Sequence, residues 1–200
     1  MCNLYRMANS ATEVARMFSV EGDASNAGGD VFPGYPGMVV AGGTLQSMAW
    51  GFPLVMKSKK TGKPLKPKPV NNARTDKLDS FFWRHSFEEH RCLIPLSAWA
   101  EAEGPRGSMT RTWQRVAGEE VFAVAGIWRD SDEWGRCYSM VMTDAEGPSK
   151  SVHNRMPVIL RPETYKTWQS ASADEARALC VAYDGDLEIN RTDEPWFRRN

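Results

Sequence analysis

Several features that assign proteins to broad classes are absent from this sequence. No apolar run approaches the roughly 18 residues that a membrane span needs, and the first residues lack the apolar core of a signal peptide. We therefore expect a cytoplasmic protein without a membrane partner. The four cysteines form no C-x-x-C pair and are widely spaced, which argues against a zinc site or a disulfide framework. In a reducing cytosol we expect free thiols; they are Cys2, Cys92, Cys137 and Cys180.

Net charge is absent as well, because 25 basic residues balance 25 acidic ones. Bulk positive charge is thus excluded as a means of binding nucleic acid. Locally, however, residues 31–75 contain no Asp or Glu, and a Pro- and Gly-rich segment in this range carries six lysines. We expect a mobile basic loop that suits phosphates, although a solvated surface loop fits the charge equally well. The lysines are Lys57, Lys59, Lys60, Lys63, Lys66 and Lys68.

The order of local signals predicts an α+β fold. Capping-box spacing at Ser10 and Glu13 predicts a helix over about 11–18, and the same spacing recurs at Ser172 and Glu175. Residues 77–90 carry apolar groups at helical intervals, whereas residues 21–30 read as a loop. Strands are predicted in MVVA, SMAWGFPLV, RCLIP, VFAVAGIW, RCYSMVMT and RMPVIL. We predict one domain over 1–200, with a curved, largely antiparallel, barrel-like sheet flanked by short helices.

The second residue is a cysteine, Cys2. Small side chains at this position let the initiator methionine be removed, which would leave a thiol and a free α-amine on one residue. Such an aminothiol condenses with an aldehyde to a Schiff base and then closes to a thiazolidine. It can also serve as an N-terminal nucleophile in hydrolysis. The alternative is that Cys2 is only part of a frayed end.

Either reaction moves protons and so needs a carboxylate and a histidine. His153 lies in SVHNRMPVIL, just before a predicted buried strand, whereas His85 and His90 lie in a charged, helical stretch. Glu101 and Glu103 follow an apolar strand, and an exposed strand end is the simpler explanation for them. Both would face the same side of an extended strand.

These residues belong to an ordered series of motifs that spans nearly the whole chain. The series resembles that of the SRAP family, the abasic-site processing proteins also called SOS response-associated peptidases. Each motif alone is modest, but their order and spacing together are specific. The motifs are Met1-Cys2, Trp50-Gly51-Phe52, Asn72-Ala73-Arg74, Arg91-Cys92-Leu93-Ile94-Pro95 with Glu101 six residues later, Ala125-Gly126-Ile127-Trp128, and His153-Asn154-Arg155-Met156-Pro157.

The resemblance implies a protein that recognises abasic sites in single-stranded DNA and bonds to them through Cys2. The abasic sugar opens to an aldehyde, the partner that aminothiol chemistry requires. The resemblance also implies autocatalytic removal of Met1, and a peptidase acting on other proteins through Cys2 is the alternative. No metal or cofactor is expected. We expect a monomer, nucleoid-associated when it is bound to DNA.

The resemblance also implies roles for single residues. Cys2 supplies both nucleophiles, and Asn72 orients the amine or the sugar. Glu101 moves protons in Schiff-base formation and in Met1 removal, and His153 helps the sugar ring to open. DNA contacts are expected from Arg74, Arg155, Trp50, Lys57, Lys59 and Lys60.

The chain departs from the family pattern near these residues. Relatives often begin Cys-Gly-Arg, where this chain has Asn3 and Leu4. Ala49 stands where a basic residue often precedes Trp-Gly. The usual Phe-Tyr-Glu-Trp is here Trp99-Ala100-Glu101-Ala102. These departures leave the proposed catalytic groups intact and alter the expected DNA contacts.

Overall fold

A computed structural model gives the fold of residues 2–196. Met1, whose removal the sequence predicts, lies outside the described residues, as do residues 197–200. Short strands dominate the chain, and the helices are few and short. The strands are β1 (Tyr5–Met7), β2 (Glu21–Asp23), β3 (Gly29–Val31), β4 (Pro36–Ala41), β5 (Thr44–Trp50), β6 (Phe52–Leu54), β7 (Lys68–Val70), β8 (Asn72–Arg74), β9 (Arg91–Leu96), β10 (Ala98–Glu103), β11 (Thr110–Val116), β12 (Phe122–Ser131), β13 (Gly135–Asp144), β14 (Arg155–Pro157), β15 (Ile159–Leu160) and β16 (Leu187–Pro195). The helices are α1 (Ala11–Met17), α2 (Arg84–Glu89), α3 (Tyr165–Ser170) and α4 (Ala173–Ala178), with 3₁₀ turns at Thr75–Lys77, Gly147–Ser151 and Pro162–Thr164.

Two main sheets and one hairpin organise the described strands. A five-stranded sheet has the order β16-β11-β10-β1-β3. A larger sheet runs β14-β13-β12-β9-β4-β5-β2, with β15 paired to β12 and β8 paired to β13, and β6 pairs with β7 alone. Most pairs are antiparallel; the parallel pairs are β13 with β5, β13 with β8 and β2 with β5. The predicted α+β class with a largely antiparallel sheet is confirmed.

The N-terminal strand lies inside the five-stranded sheet. β1 pairs with β10 on one side and with β3 on the other, so that Tyr5 lies opposite both Trp99 and Val31. The Ala100 N–H also donates to the Leu4 carbonyl over 2.9 Å, which extends the pairing toward the chain start. Cys2, Leu4 and Tyr5 are completely buried. The chain start is therefore fixed inside the fold.

The two capping boxes form as predicted, and α1 and α4 begin directly after Ser10 and Ser172. The prediction for 77–90 is wrong over its first half, because only Arg84–Glu89 is an α-helix. Phe81, one of the apolar residues in this range, is 98% exposed. The Trp83 N-cap makes no side-chain capping hydrogen bond. The sequence therefore contains no local start signal to extend this helix.

The predicted loop at 21–30 is also partly wrong. Residues 21–23 form β2 and pair with β5, and residues 29–31 form β3 and pair with β1. Both strands are three residues long and Val31 is their one apolar residue, so their pairing depends on distant partners rather than on their own sequence. None of the helices in the described part of the chain has the length and apolar character that crossing a bilayer requires.

Two buried tyrosines meet over a glycine in β4. The hydroxyls of Tyr5 and Tyr138 lie 2.5 Å apart, and the Tyr5 ring packs edge-on against Trp50 with centroids 5.0 Å apart. A Cβ atom on Gly37 would overlap both hydroxyl oxygens. Gly37 is thus required because there is no room for a Cβ atom, and not because of its backbone angles.

We predict that Gly37→Ala destabilises the protein by about 1–3 kcal/mol, the usual cost of overpacking a dense core. Urea unfolding measures the coupling between these sites. It compares the wild type with Gly37→Ala, with the double variant Tyr5→Phe/Tyr138→Phe and with the triple variant. Because the phenylalanines remove both clashing oxygens, Gly37→Ala should cost much less in their background. An equal cost in both backgrounds would show that the collision is not the cause.

Candidate active site

Two consecutive asparagines hold the main chain of Cys2. The Nδ2 of Asn71 donates to the Cys2 carbonyl over 2.8 Å, and the Nδ2 of Asn72 donates to the same oxygen over 2.7 Å. Asn71 also donates to the Asn3 side-chain oxygen over 3.1 Å. A carbonyl oxygen has two lone pairs, so the two amides occupy its acceptor capacity and fix the orientation of Cys2.

The asparagines are themselves fixed by β13 and by Trp50. β8 runs parallel to β13 with Asn72 opposite Met140, and the Met140 N–H donates to the Asn71 carbonyl over 3.0 Å. The Trp50 Nε1 donates to the same carbonyl over 3.1 Å. Trp50 is completely buried and offers no face to a DNA base. The predicted DNA contact of Trp50 is therefore corrected: this indole supports Asn71.

Asn72 retains an acceptor. Its Oδ1 is buried and makes no hydrogen bond within the described residues. This oxygen belongs to the same amide group whose Nδ2 donates to the Cys2 carbonyl. It can accept a hydrogen bond from an amine or a hydroxyl group there.

Glu101 brings a carboxyl group close to the Cys2 thiol. It lies in β10, opposite Thr112 of β11, and is 3% exposed. Burial raises the pKa of Glu101 to about 7, so the group can both donate and accept a proton near neutral pH. Burial, together with the charge of Glu101, raises the pKa of the Cys2 thiol well above its usual range. The thiol donates to the Leu4 carbonyl over 3.4 Å and needs a base before it can attack.

Glu103 is in a different environment from Glu101. It accepts a hydrogen bond from the Thr112 hydroxyl over 2.5 Å and pairs with the Arg191 guanidinium over 3.1 Å. Its side chain is 26% exposed. Arg191 also approaches the Ser151 hydroxyl at 3.5 Å, which links the end of β10 to the turn that precedes His153. Glu103 therefore forms a structural ion pair with Arg191.

His153 lies between the 3₁₀ turn Gly147–Ser151 and β14. The Arg155 N–H donates to its Nδ1 over 3.0 Å, so the proton of the neutral ring is carried by Nε2. Burial lowers the pKa of His153 below its ordinary value. The group is thus a neutral imidazole near pH 7 that can donate a hydrogen bond from Nε2.

The two predicted phosphate-binding arginines share an aspartate. The Arg74 guanidinium binds Asp76 through two hydrogen bonds of 2.9 and 2.7 Å and holds the pKa of that carboxyl below its usual range. Arg155 pairs with Asp144 at 3.1 Å and lies 4.0 Å from Asp76. The fold brings the two arginines together beside β13, where their DNA contacts stay predictions.

The lysine-rich segment forms a hairpin rather than a featureless loop. β6 pairs with β7, Lys57 bridges to Pro64, and backbone hydrogen bonds join Ser58 to Lys63 and Leu65 to Met56. Lys57, Lys59 and Lys60 are exposed near its turn. We call residues 52–70 the basic hairpin. Its base is anchored where Phe52 packs against Phe82 and Trp83.

Asn71 is the site residue that sequence reasoning missed. It lies just outside the matched Asn-Ala-Arg motif, and only the approach of the N-terminal segment gives it a role. The predicted groups Cys2, Asn72 and Glu101 do come together. Among the described residues, no three His, Cys, Asp or Glu side chains are grouped so that they could hold a metal ion.

The fold and the motifs have relatives among known proteins. The chain matches a solved protein from Bacteroides thetaiotaomicron with a TM-score of 0.79 at 21% identity, covering 95% of this chain and 91% of that one. A protein from Bordetella bronchiseptica matches with a TM-score of 0.77 at 22% identity, covering 96% and 99%. At these identities the likeness concerns the fold alone.

Sequence comparison adds a named relative and a family. The Bacillus subtilis (strain 168) abasic site processing protein YoaM is 27% identical over 128 residues, which are 58% of this chain and 55% of that protein. The matched part thus spans about half of the curated relative. The model of the family described as SOS response associated peptidase (SRAP) matches residues 1–194. With nearly the whole chain matched, the protein belongs to the SRAP family.

Proposed function

We propose that this protein captures abasic sites in single-stranded DNA by forming a thiazolidine with Cys2 once Met1 has been removed. The observation that carries the proposal is the set of groups around Cys2: its main chain is held by two amides, and a carboxyl of raised pKa lies close to its thiol. The family and the name of the Bacillus relative support an abasic-site substrate.

The first step is attack of the Cys2 amine on the aldehyde carbon. An α-amine has an ordinary pKa of roughly 7.7–8.0, so part of it is unprotonated near neutral pH. The Asn72 Oδ1 can accept an amine hydrogen and orient the nitrogen lone pair. The neutral His153, with its proton on Nε2, can donate to the sugar ring oxygen and assist its opening.

Loss of water and ring closure both require proton transfer. Protonated Glu101 assists the departure of water from the carbinolamine, which leaves a C=N bond and a carboxylate. That carboxylate then accepts the thiol proton as sulfur attacks the same carbon, and the electron pair of the protonated C=N bond returns to nitrogen as a lone pair. One water is released and no oxidant is needed. Glu101 serves both steps because its pKa lies near 7.

The initiator must leave before this reaction can begin, because the Cys2 nitrogen is otherwise part of a peptide bond. Hydrolysis of that bond consumes one water and releases methionine. Glu101 is the group that can move the required protons, which gives the protein an autopeptidase step. A peptidase that acts on other proteins would use the same residues and would turn over many substrate molecules.

We predict a covalent complex that resists heat when protein lacking Met1 is mixed with an oligonucleotide containing one abasic site. A denaturing gel measures it, and intact mass verifies the loss of Met1. Cys2→Ala should give only a Schiff base that needs borohydride to survive the gel, because no thiol closes the ring. Heat-stable product from Cys2→Ala would exclude the thiazolidine, and multiple turnover on peptides would favour the alternative.

Substitution of Glu101 and of Glu103 should affect the rate of covalent capture very differently. We predict that Glu101→Gln slows covalent capture by on the order of 10²-fold, a usual size for the loss of a general acid–base. Glu103→Gln is the matched control and should stay within about threefold of the wild type. Single-turnover rates measured on gels decide between them. A slow Glu103→Gln with a normal Glu101→Gln would reverse the assignment.

The raised pKa of Glu101 can be checked through stability. The unfolded side chain ionises near 4.5, whereas the folded one ionises near 7. As pH rises between these values the unfolded state loses a proton that the folded state keeps, so the free energy of unfolding falls. Relative to Glu101→Gln, the wild type should lose stability across this window and not below it, as urea unfolding at several pH values will show.

The basic hairpin offers a test of DNA binding apart from chemistry. We predict that Lys57→Ala/Lys59→Ala/Lys60→Ala weakens binding to single-stranded DNA and lowers the slope of log K against log salt by about 2, near 0.7 per lost phosphate contact. The capture rate at saturating DNA should not change. Lys166→Ala, an exposed lysine on α3, is the control. An unchanged slope in the triple variant would remove the hairpin from the interface.

A further inference from the structure

The peptide between Cys2 and Asn3 is bracketed by one side chain. The Asn71 Nδ2 contacts the Cys2 carbonyl and the Asn3 Oδ1 at 2.8 and 3.1 Å. An amide nitrogen has two hydrogens, and both thus have acceptors on the N-terminal segment. Asn71 is 8% exposed, so these bonds are shielded from water.

Two further hydrogen bonds anchor the main chain of Asn71. Its own carbonyl accepts from the Trp50 Nε1 and from the Met140 N–H. Successive side chains of a strand point to opposite faces, yet the side chains of Asn71 and Asn72 converge on one oxygen. Asn71 lies just before β8, outside the regular strand, and this position permits the convergence.

We propose that Asn71 is a positioning residue that, together with Asn3, holds Cys2 so that its sulfur can close on the Schiff-base carbon. A residue with no chain before it can rotate about its Cα–C bond. One hydrogen bond to the carbonyl leaves that rotation partly free, whereas two donors and a bracketed next residue restrict it. This inference rests on the proposed function and assigns a residue to its second covalent step.

The two covalent steps differ in how much they depend on this restraint. Attack of the amine on the aldehyde forms one C–N bond, and the sugar can approach from a range of directions. Ring closure requires sulfur to reach the carbon already joined to nitrogen; the S–C bond forms, the thiol proton passes to the Glu101 carboxylate, and the C=N electron pair returns to nitrogen. Misplacement of Cys2 should therefore slow closure more than Schiff-base formation.

The test separates the two steps by the way the reaction is stopped. Mature protein is mixed with an abasic oligonucleotide and quenched either with borohydride, which traps Schiff base, or with heat and no reductant, which preserves thiazolidine. We expect Asn71→Ala to slow the conversion of Schiff base to thiazolidine on the order of tenfold, so that the reductant-dependent product accumulates. If Asn71→Ala folds poorly, Asn71→Asp can be used in its place. It keeps the size of the side chain and removes its hydrogen-bond donors, so it should slow ring closure in the same way.

Two further variants complete the design. Asn3→Ala should give a smaller delay that largely disappears in the Asn71→Ala background, since the two side chains act through one hydrogen bond. Asn190→Asp, on the exposed face of β16, controls for the amide-to-acid change. Equal loss of both products in Asn71 variants, or closure at the wild-type rate, overturns the positioning role.

A small aldehyde such as glycolaldehyde keeps this test independent of DNA. If the wild type forms a thiazolidine with glycolaldehyde but no complex with DNA, the proposed substrate is wrong. Slow closure of Asn71→Ala on glycolaldehyde then still supports the positioning role. If Asn71→Ala closes the ring as fast as the wild type on both glycolaldehyde and the abasic site, the positioning role is rejected.

Discussion

The structure depends on holding the start of the chain in place. Chain ends usually fray because only one side of the backbone is tethered. Here β1 pairs with two strands, the Leu4 carbonyl accepts from Ala100, and the Cys2 carbonyl accepts from two asparagine amides. Each bond lies closer to the terminus than the last, so hydrogen bonds hold the backbone as far as Cys2.

Burial of the same residue sets the order of the proposed chemistry. Burial raises the pKa of the Cys2 thiol, and the separate burial of Glu101 raises the pKa of that carboxyl group. The thiol therefore stays protonated until a base accepts its proton, whereas an α-amine is partly unprotonated near neutral pH. Nitrogen thus attacks first and sulfur second, and a carboxyl group that has just given up its proton is available for the second step.

Local signals in the sequence predict local structure well. The capping boxes at Ser10 and Ser172 form because each involves residues three apart. The exposure of Phe81 and the burial of Trp50 could not be predicted. An apolar side chain does not by itself show whether the folded chain places it in the core or at the surface. Motif spacing points to Asn72 and Glu101, whereas Asn71 acquires its partners only when the N-terminal segment, β5 and β13 converge on it.

The departures from the family pattern are linked by packing. Leu4 and Ala100, which stand where relatives often have Arg and Tyr, are both fully buried and share a small cluster with Trp113. An apolar contact thus lies where the family resemblance leads us to expect a basic side chain. Arg6 does not restore that charge, because it stacks on Trp113 at 4.1 Å and pairs with Asp30 at 2.7 Å.

Under the proposed function, positive charge that contacts DNA must come from outside this cluster. Arg74 and Arg155 are already paired with aspartates. The basic hairpin carries six lysines in a part of the chain without acidic residues. Under the proposed function, this hairpin supplies positive charge from another strand pair, while the cluster of Leu4 and Ala100 beside the site is apolar.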